Sequence, residues 1–237
     1  MNSILSEKEY QSFIIERLKE NGYEVSLAKD FDRQFAVNRK DLFKFLNTTQ
    51  PDKMEKLYKI YKQDTEDTIV ATINNEEVKN KGSRLYTLKK GVSVANIQLD
   101  LMYTKPATTY NKELNVLYNN NIFSVSEEVW ASDKERIDLV IFLNGLAIIS
   151  FELKANTAGQ SYKDAIYQFR TERDPKTRLF RFKAGTLVNF AMDLEQVYMA
   201  TKLDGPATFF LPFNMGNGTR SCRRRLPGSS PGRWHTY

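Results

Sequence analysis

The chain has 237 residues, 41% of them hydrophobic, enough to bury a full core as one large domain or two small ones. Its single cysteine, Cys222, excludes an internal disulfide framework and a thiolate zinc site. No apolar run approaches the roughly 20 residues of a spanning helix, and the acidic, polar start MNSILSEKEY lacks the basic region and apolar core of a secretion signal, so a soluble cytoplasmic protein without membrane contacts is expected. Of the formal charge of +6, five units reside in residues 219–237, which hold five Arg and no Lys, Asp or Glu; the remainder has 30 basic against 29 acidic residues. Net charge therefore says little about nucleic acid binding.

Ser6-Glu7-Lys8-Glu9 is a capping-box pattern, and Tyr10, Phe13, Ile14 and Leu18 recur at helical spacing until Asn21-Gly22, which predicts a first helix of about four turns. Helices are also expected over 41–46 and over 51–63, the latter with Pro51 at its first position. Residues 64–91, rich in Asp, Asn, Lys and Gly, read only as mixed loop and helix. Strand patterning then begins: VSVANIQLDLMY from 92, a polar helix over 111–120, and the near-alternating IFSVSEEVW over 122–130.

Residues 137–156, IDLVIFLNGLAIISFELKAN, form two apolar runs about an Asn144-Gly145 turn. A helix follows with Tyr162, Ala165, Ile166 and Phe169 on one face, then two strands, TLVNFAMD and QVYMATKL. The order predicts an α/β fold, a mixed β-sheet flanked by helices. We divide the chain into a helical N-terminal part over 1–91, a core over 92–217 and an irregular basic tail over 218–237. The tail has no apolar periodicity and reads as a disordered or non-native extension; the other reading is a basic tail that contacts phosphates.

The charges at the ends of the hairpin carry the chemistry. Glu152 and Lys154 lie two apart and share a strand face. Carboxylates at a strand edge can hold a hard divalent cation, which keeps several waters, and a neighbouring lysine can orient one of those waters or stabilise charge on a phosphate. Register decides whether Asp138 joins them. A plain two-residue turn places Asp138 opposite Phe151, whereas a three-residue loop or a bulge places it opposite Glu152. On spacing alone, a solvated strand end remains an equal reading, because an Asp plus Glu-x-Lys is a short pattern.

The wider text is more specific. RIDLVIFLNGLAIISFELK, GQSYKDAIYQFRTERDP and LVNFAMDLEQVYMATKLDGPATFFLPFN, with SEKEYQSFIIERLKENGYEV and DLFKFLNTTQP upstream, resemble in order the N-terminal region of the restriction (R) subunit of type I restriction-modification enzymes. The resemblance spans nearly all of residues 5–217 and implies a restriction-endonuclease-like PD-(D/E)XK core ahead of a helicase-like motor, so the chain reads as an N-terminal fragment. It implies that Asp138 and Glu152 bind Mg2+ (Mn2+ substituting) and that Lys154 is catalytic, with Ile137 where the superfamily pattern has Pro. An acidic residue of the first helix often joins such a site, and Glu9 is the candidate here, although its place in the capping box suits it equally to that role. Related nucleases carry Gln-x-x-x-Tyr on the following helix; Gln168 matches the Gln, but Glu172 stands where Tyr would be.

The resemblance further implies double-stranded DNA as substrate and modification and specificity subunits as partners, with cleavage coupled to ATP-driven translocation. No G-x-x-x-x-G-K-[ST] loop occurs, so ATP belongs to the motor and not to these residues. Two other functions are considered: a non-catalytic docking module for the motor and partner subunits, and a repair nuclease of the same fold.

Overall fold

A computed structural model describes residues 6–78, 82–155 and 159–213; the basic tail expected from 218 lies outside these. Helix α1 (Glu7–Glu20) starts where the capping box predicts, with Ser6 as N-cap and Asn21 as C-cap. Short strands β1 (Glu24–Val25), β2 (Phe31–Asp32) and β3 (Val37–Asn38) precede α2 (Arg39–Thr49) and α3 (Pro51–Tyr61). The poorly patterned stretch after these forms two helices, α4 (Thr65–Val78) and α5 (Arg84–Lys90). Its helicity comes from burial of Ile69, Val70, Ile73 and Leu88 in a shared core, where tertiary packing outweighs weak propensity.

The run from Val92 does not continue as one strand. It folds back as β4 (Val92–Val94) and β5 (Ile97–Leu99), a separate two-stranded sheet. The reversal occurs at Ala95 and Asn96, both at positive φ (49° and 61°), a turn conformation that Asn tolerates well. This hairpin packs with α2 to α4 around Leu42, Phe45, Leu46, Met54 and Leu57. Burying each such side chain contributes about 1.5 to 3 kcal/mol.

Helix α6 (Lys112–Asn119) leads into the main sheet, made of β6 (Phe123–Trp130), β7 (Arg136–Leu143), β8 (Leu146–Leu153), β9 (Val188–Met192), β10 (Val197–Ala200) and β11 (Leu211–Pro212), with α7 (Tyr162–Thr171) between β8 and β9. The strand order is β1-β6-β7-β8-β9-β10-β11, and β3 adds to β8. Strands β6, β7 and β8 are antiparallel, whereas β8 and β9 are parallel and joined through α7. The fold is thus the expected mixed sheet flanked by helices. The sheet draws on residues on both sides of residue 91, since β1 and β3 come from the N-terminal part.

One face of the sheet packs Val125, Leu139, Ile141 and Leu153 against Tyr10, Ile14 and Leu18 of α1. The other packs Val140, Phe142 and Ala147 against Ala165 and Phe169 of α7. The helical layer is tied to the sheet through buried Glu77, which meets Arg84 at 3.0 Å and also pairs with Arg178. Arg84 in turn donates to the carbonyls of Ala36 and Ala184, at 3.3 and 3.0 Å. Among the described residues, no helix is long and apolar enough to cross a membrane.

Candidate active site

The turn between β7 and β8 has the two residues Asn144 and Gly145, at φ 49° and 79°, a conformation that suits the twist of a hairpin. Asn144 is buried, accepts the Ile122 amide at 2.7 Å and donates to the Leu101 carbonyl at 2.9 Å. Pairing runs Leu143 with Leu146 and Phe142 with Ala147, then shifts to Ile141 with Ile149 and Leu139 with Phe151. Ile148 is therefore an extra residue in β8, a bulge of the kind the metal reading requires. Continuing the shifted register sets Asp138 opposite Glu152 rather than Phe151.

On its other side, Asp138 meets a second irregularity. Glu127 pairs with Leu139 and Val129 with Ile137, leaving Glu128 and Asp138 as the break between them. Glu128 sits at φ 55°, a strained value for a non-glycine residue inside a strand. Both strands change face at this point, because Val125 and Leu139 pack on the α1 side while Val129 and Ile137 pack on the α7 side. The Asp138 side chain takes over part of the interrupted ladder: its Oδ2 accepts the Leu153 amide at 2.7 Å. Its carbonyl accepts from Gln11 Nε2 at 2.8 Å.

Glu152 is fully buried. Its Oε1 accepts from Arg173 Nε at 2.7 Å, while its Oε2 is buried with no hydrogen-bond partner among the described residues. Lys154 is nearly buried, and its Nζ lies 3.4 Å from Glu7 Oε2 at the start of α1. Burial, and after it the Asp138 charge, push the Glu152 carboxyl up to about 8 against the pull of Arg173 and Lys154. Asp138 rises to about 6, chiefly by burial; the Leu153 amide and Lys154 oppose this, and Glu7 and Glu128 add to it. Burial lowers the Arg173 guanidinium, but the hydrogen bond and charge of Glu152 more than offset that, and its pKa is raised. In both carboxyls burial is the largest cause and a neighbouring carboxylate adds to it, and a bound cation would oppose both shifts.

The donor set suits a hard divalent ion on that ground and on the orphaned Glu152 oxygen. Among the described residues, no three His, Cys, Asp or Glu side chains are grouped so as to hold a metal ion. An ion on Asp138 and Glu152 would thus complete its shell with water or phosphate oxygens, as Mg2+ commonly does.

The structure brings Asp138, Glu152 and Lys154 into one electrostatically coupled group. Glu9 is elsewhere. Its carboxylate accepts the Ser6 amide at 2.7 Å and the Ser6 hydroxyl at 2.8 Å, which keeps it exposed at the helix start. The acidic residue of α1 that reaches the site is Glu7, because the capping box aims Glu9 back along the chain. Gln168 lies on α7 with a buried, unpartnered Oε1, and no hydrogen bond or ion pair among the described residues links it to Asp138, Glu152 or Lys154. Glu172 caps the same helix with an exposed side chain 4.0 Å from Arg173.

Arg173, Glu7 and Glu128 are the site residues that the sequence reading missed. A signal existed for the first: a buried strand carboxylate needs a cationic partner, and Arg173 is the arginine just past the helix that follows.

Comparison with curated proteins finds no match. A family model described as type I restriction enzyme R protein N terminus matches residues 4–208, which include Asp138, Glu152, Lys154 and the elements that carry them, and the chain belongs to that family.

Proposed function

We propose that this domain is a metal-dependent endonuclease that hydrolyses phosphodiester bonds of double-stranded DNA, serving as the nuclease region of a type I restriction enzyme. The observation that carries this reading is Glu152 Oε2, an acceptor oxygen with no partner among the described residues, on a fully buried carboxylate beside a second carboxylate. Keeping such a group has a cost of about 1 to 3 kcal/mol or more for a charge, which a purely structural strand end would avoid.

Asp138 and Glu152 would hold Mg2+, or Mn2+ in its place. When bound, the ion supplies Lewis-acid polarisation of the phosphate and a water of lowered pKa. Lys154, held near the start of α1 by Glu7, would donate a hydrogen bond to the attacking water or to a phosphate oxygen, stabilising the negative charge that develops there. Gln168 would offer its side-chain amide to the substrate backbone from α7. Modification and specificity subunits would choose the recognition sequence, and an ATP-driven motor would move the DNA.

In the intact enzyme, Asp138→Ala and Glu152→Ala should each abolish DNA cleavage, read as loss of plasmid linearisation, while ATP hydrolysis persists. Cleavage that survives Asp138→Ala would leave the domain a docking role instead. Joint loss of cleavage and ATP hydrolysis would mean that these residues act on folding or coupling.

A further inference from the structure

Arg173 is the one residue outside the proposed ligand pair that forms a direct ion pair with Glu152 among the described residues. The guanidinium is nearly buried and uses two separate donors. Its Nε donates to Glu152 Oε1 at 2.7 Å, and its Nη2 donates to the Arg136 carbonyl at 3.1 Å, at the first residue of β7. The chain around it is fixed as well. Glu135, also buried, accepts the Asp174 amide through Oε1 and the Thr177 hydroxyl through Oε2 at 2.7 Å. The connection between β6 and β7 thus holds the residues just after Arg173.

This arrangement selects one oxygen. A guanidinium gripping both carboxylate oxygens would engage each of them. Here the second donor is spent on a backbone carbonyl, so Oε1 is held and Oε2 is left without a partner among the described residues. We infer that Arg173 is the positioning residue of the site, which fixes the Glu152 carboxylate so that Oε2 alone is presented to a divalent cation. The inference rests on the metal reading above. Partners of this kind, one bond removed from a ligand, orient it and cost roughly 10- to 100-fold in metal affinity when removed. A lysine could supply the charge but not two donors in fixed directions.

The test is calorimetric titration of Mn2+ into the full chain and its Arg173→Met and Arg173→Lys variants, with circular dichroism to confirm that each is folded. Arg173→Met should bind Mn2+ about 10- to 100-fold more weakly, and Arg173→Lys should fall between it and the unaltered protein. In a Glu152→Gln background, Arg173→Met should have no further effect, because the carboxylate it positions is gone. Should Arg173→Met fail to fold, Arg173→Lys decides alone by the same measure. A folded variant that binds Mn2+ as tightly as the unaltered protein, or more tightly, overturns the inference and makes Arg173 only a counter-ion. If the unaltered, folded chain binds no Mn2+, the metal reading itself fails, and this one with it.

Discussion

The Asp138 carboxylate accepts the Leu153 amide at 2.7 Å, so a side chain of β7 replaces the backbone acceptor where the ladder to β8 ends. This bond exists only because β8 carries one residue more than β7 between the turn and this point. The extra residue, Ile148, turns an otherwise ordinary Asn-Gly hairpin into one whose terminal carboxylates come from facing positions. The site is in this sense a product of register, and the register shifts at the bulge, close to the turn, between Ile141 and Phe142 of β7.

The turn is therefore expected to be intolerant of change. A Cβ on Gly145 would lie 2.4 Å from the Asn38 carbonyl oxygen and 2.5 Å from the Leu42 amide nitrogen, and its φ of 79° disfavours other residues. Gly145→Ala should destabilise the domain by about 2 to 3 kcal/mol, measured by urea unfolding. Unchanged stability would mean that the β3–α2 junction does not press on the turn.

The raised carboxyl pKa values give a pH dependence with a definite sign. A carboxyl that is harder to ionise in the folded than in the unfolded chain contributes its full stability below the unfolded value and loses it as pH rises through the folded one. For Glu152 that window runs from its ordinary 4.5 to about 8, with roughly 1.4 kcal/mol lost per pH unit inside it. The metal-free domain should melt at progressively lower temperature from pH 5 to pH 8, and Glu152→Gln should flatten the slope. Equal slopes in both proteins would show that Glu152 ionises as freely in the fold as in the unfolded chain.

Much of this architecture is legible locally. The capping box at Ser6, Pro51 at a helix start, the Asn144-Gly145 turn and the existence of strand β6 each depend on a few neighbouring residues, and each is found where the pattern sets it. What was not legible depends on distant partners. Nothing in the run Leu146-Ala147-Ile148-Ile149 marks which residue bulges, since all four are apolar and strand-compatible. The residues of α4 and α5 lack a strong pattern of their own and become helical by packing on the β4–β5 hairpin. Arg173 reaches Glu152 across the chain reversal made by α7, and the choice between Glu7 and Glu9 depends on whether the capping box closes.

That last choice is open to direct test. Glu7→Ala removes the partner of Lys154 and should lower the cleavage rate of the intact enzyme. Glu9→Ala opens the capping box and should lower the melting temperature slightly while leaving cleavage unchanged. The reverse pattern would return Glu9 to the site.

The central claim is that Asp138 and Glu152 share one divalent cation. Crystals of the domain soaked in Mn2+ and measured at the manganese absorption edge test it most directly. One anomalous peak is expected about 2 Å from an oxygen of each carboxylate, with Glu152 contributing Oε2 and Arg173 still on Oε1. A peak that touches neither carboxylate, or no peak at saturating Mn2+, would contradict it.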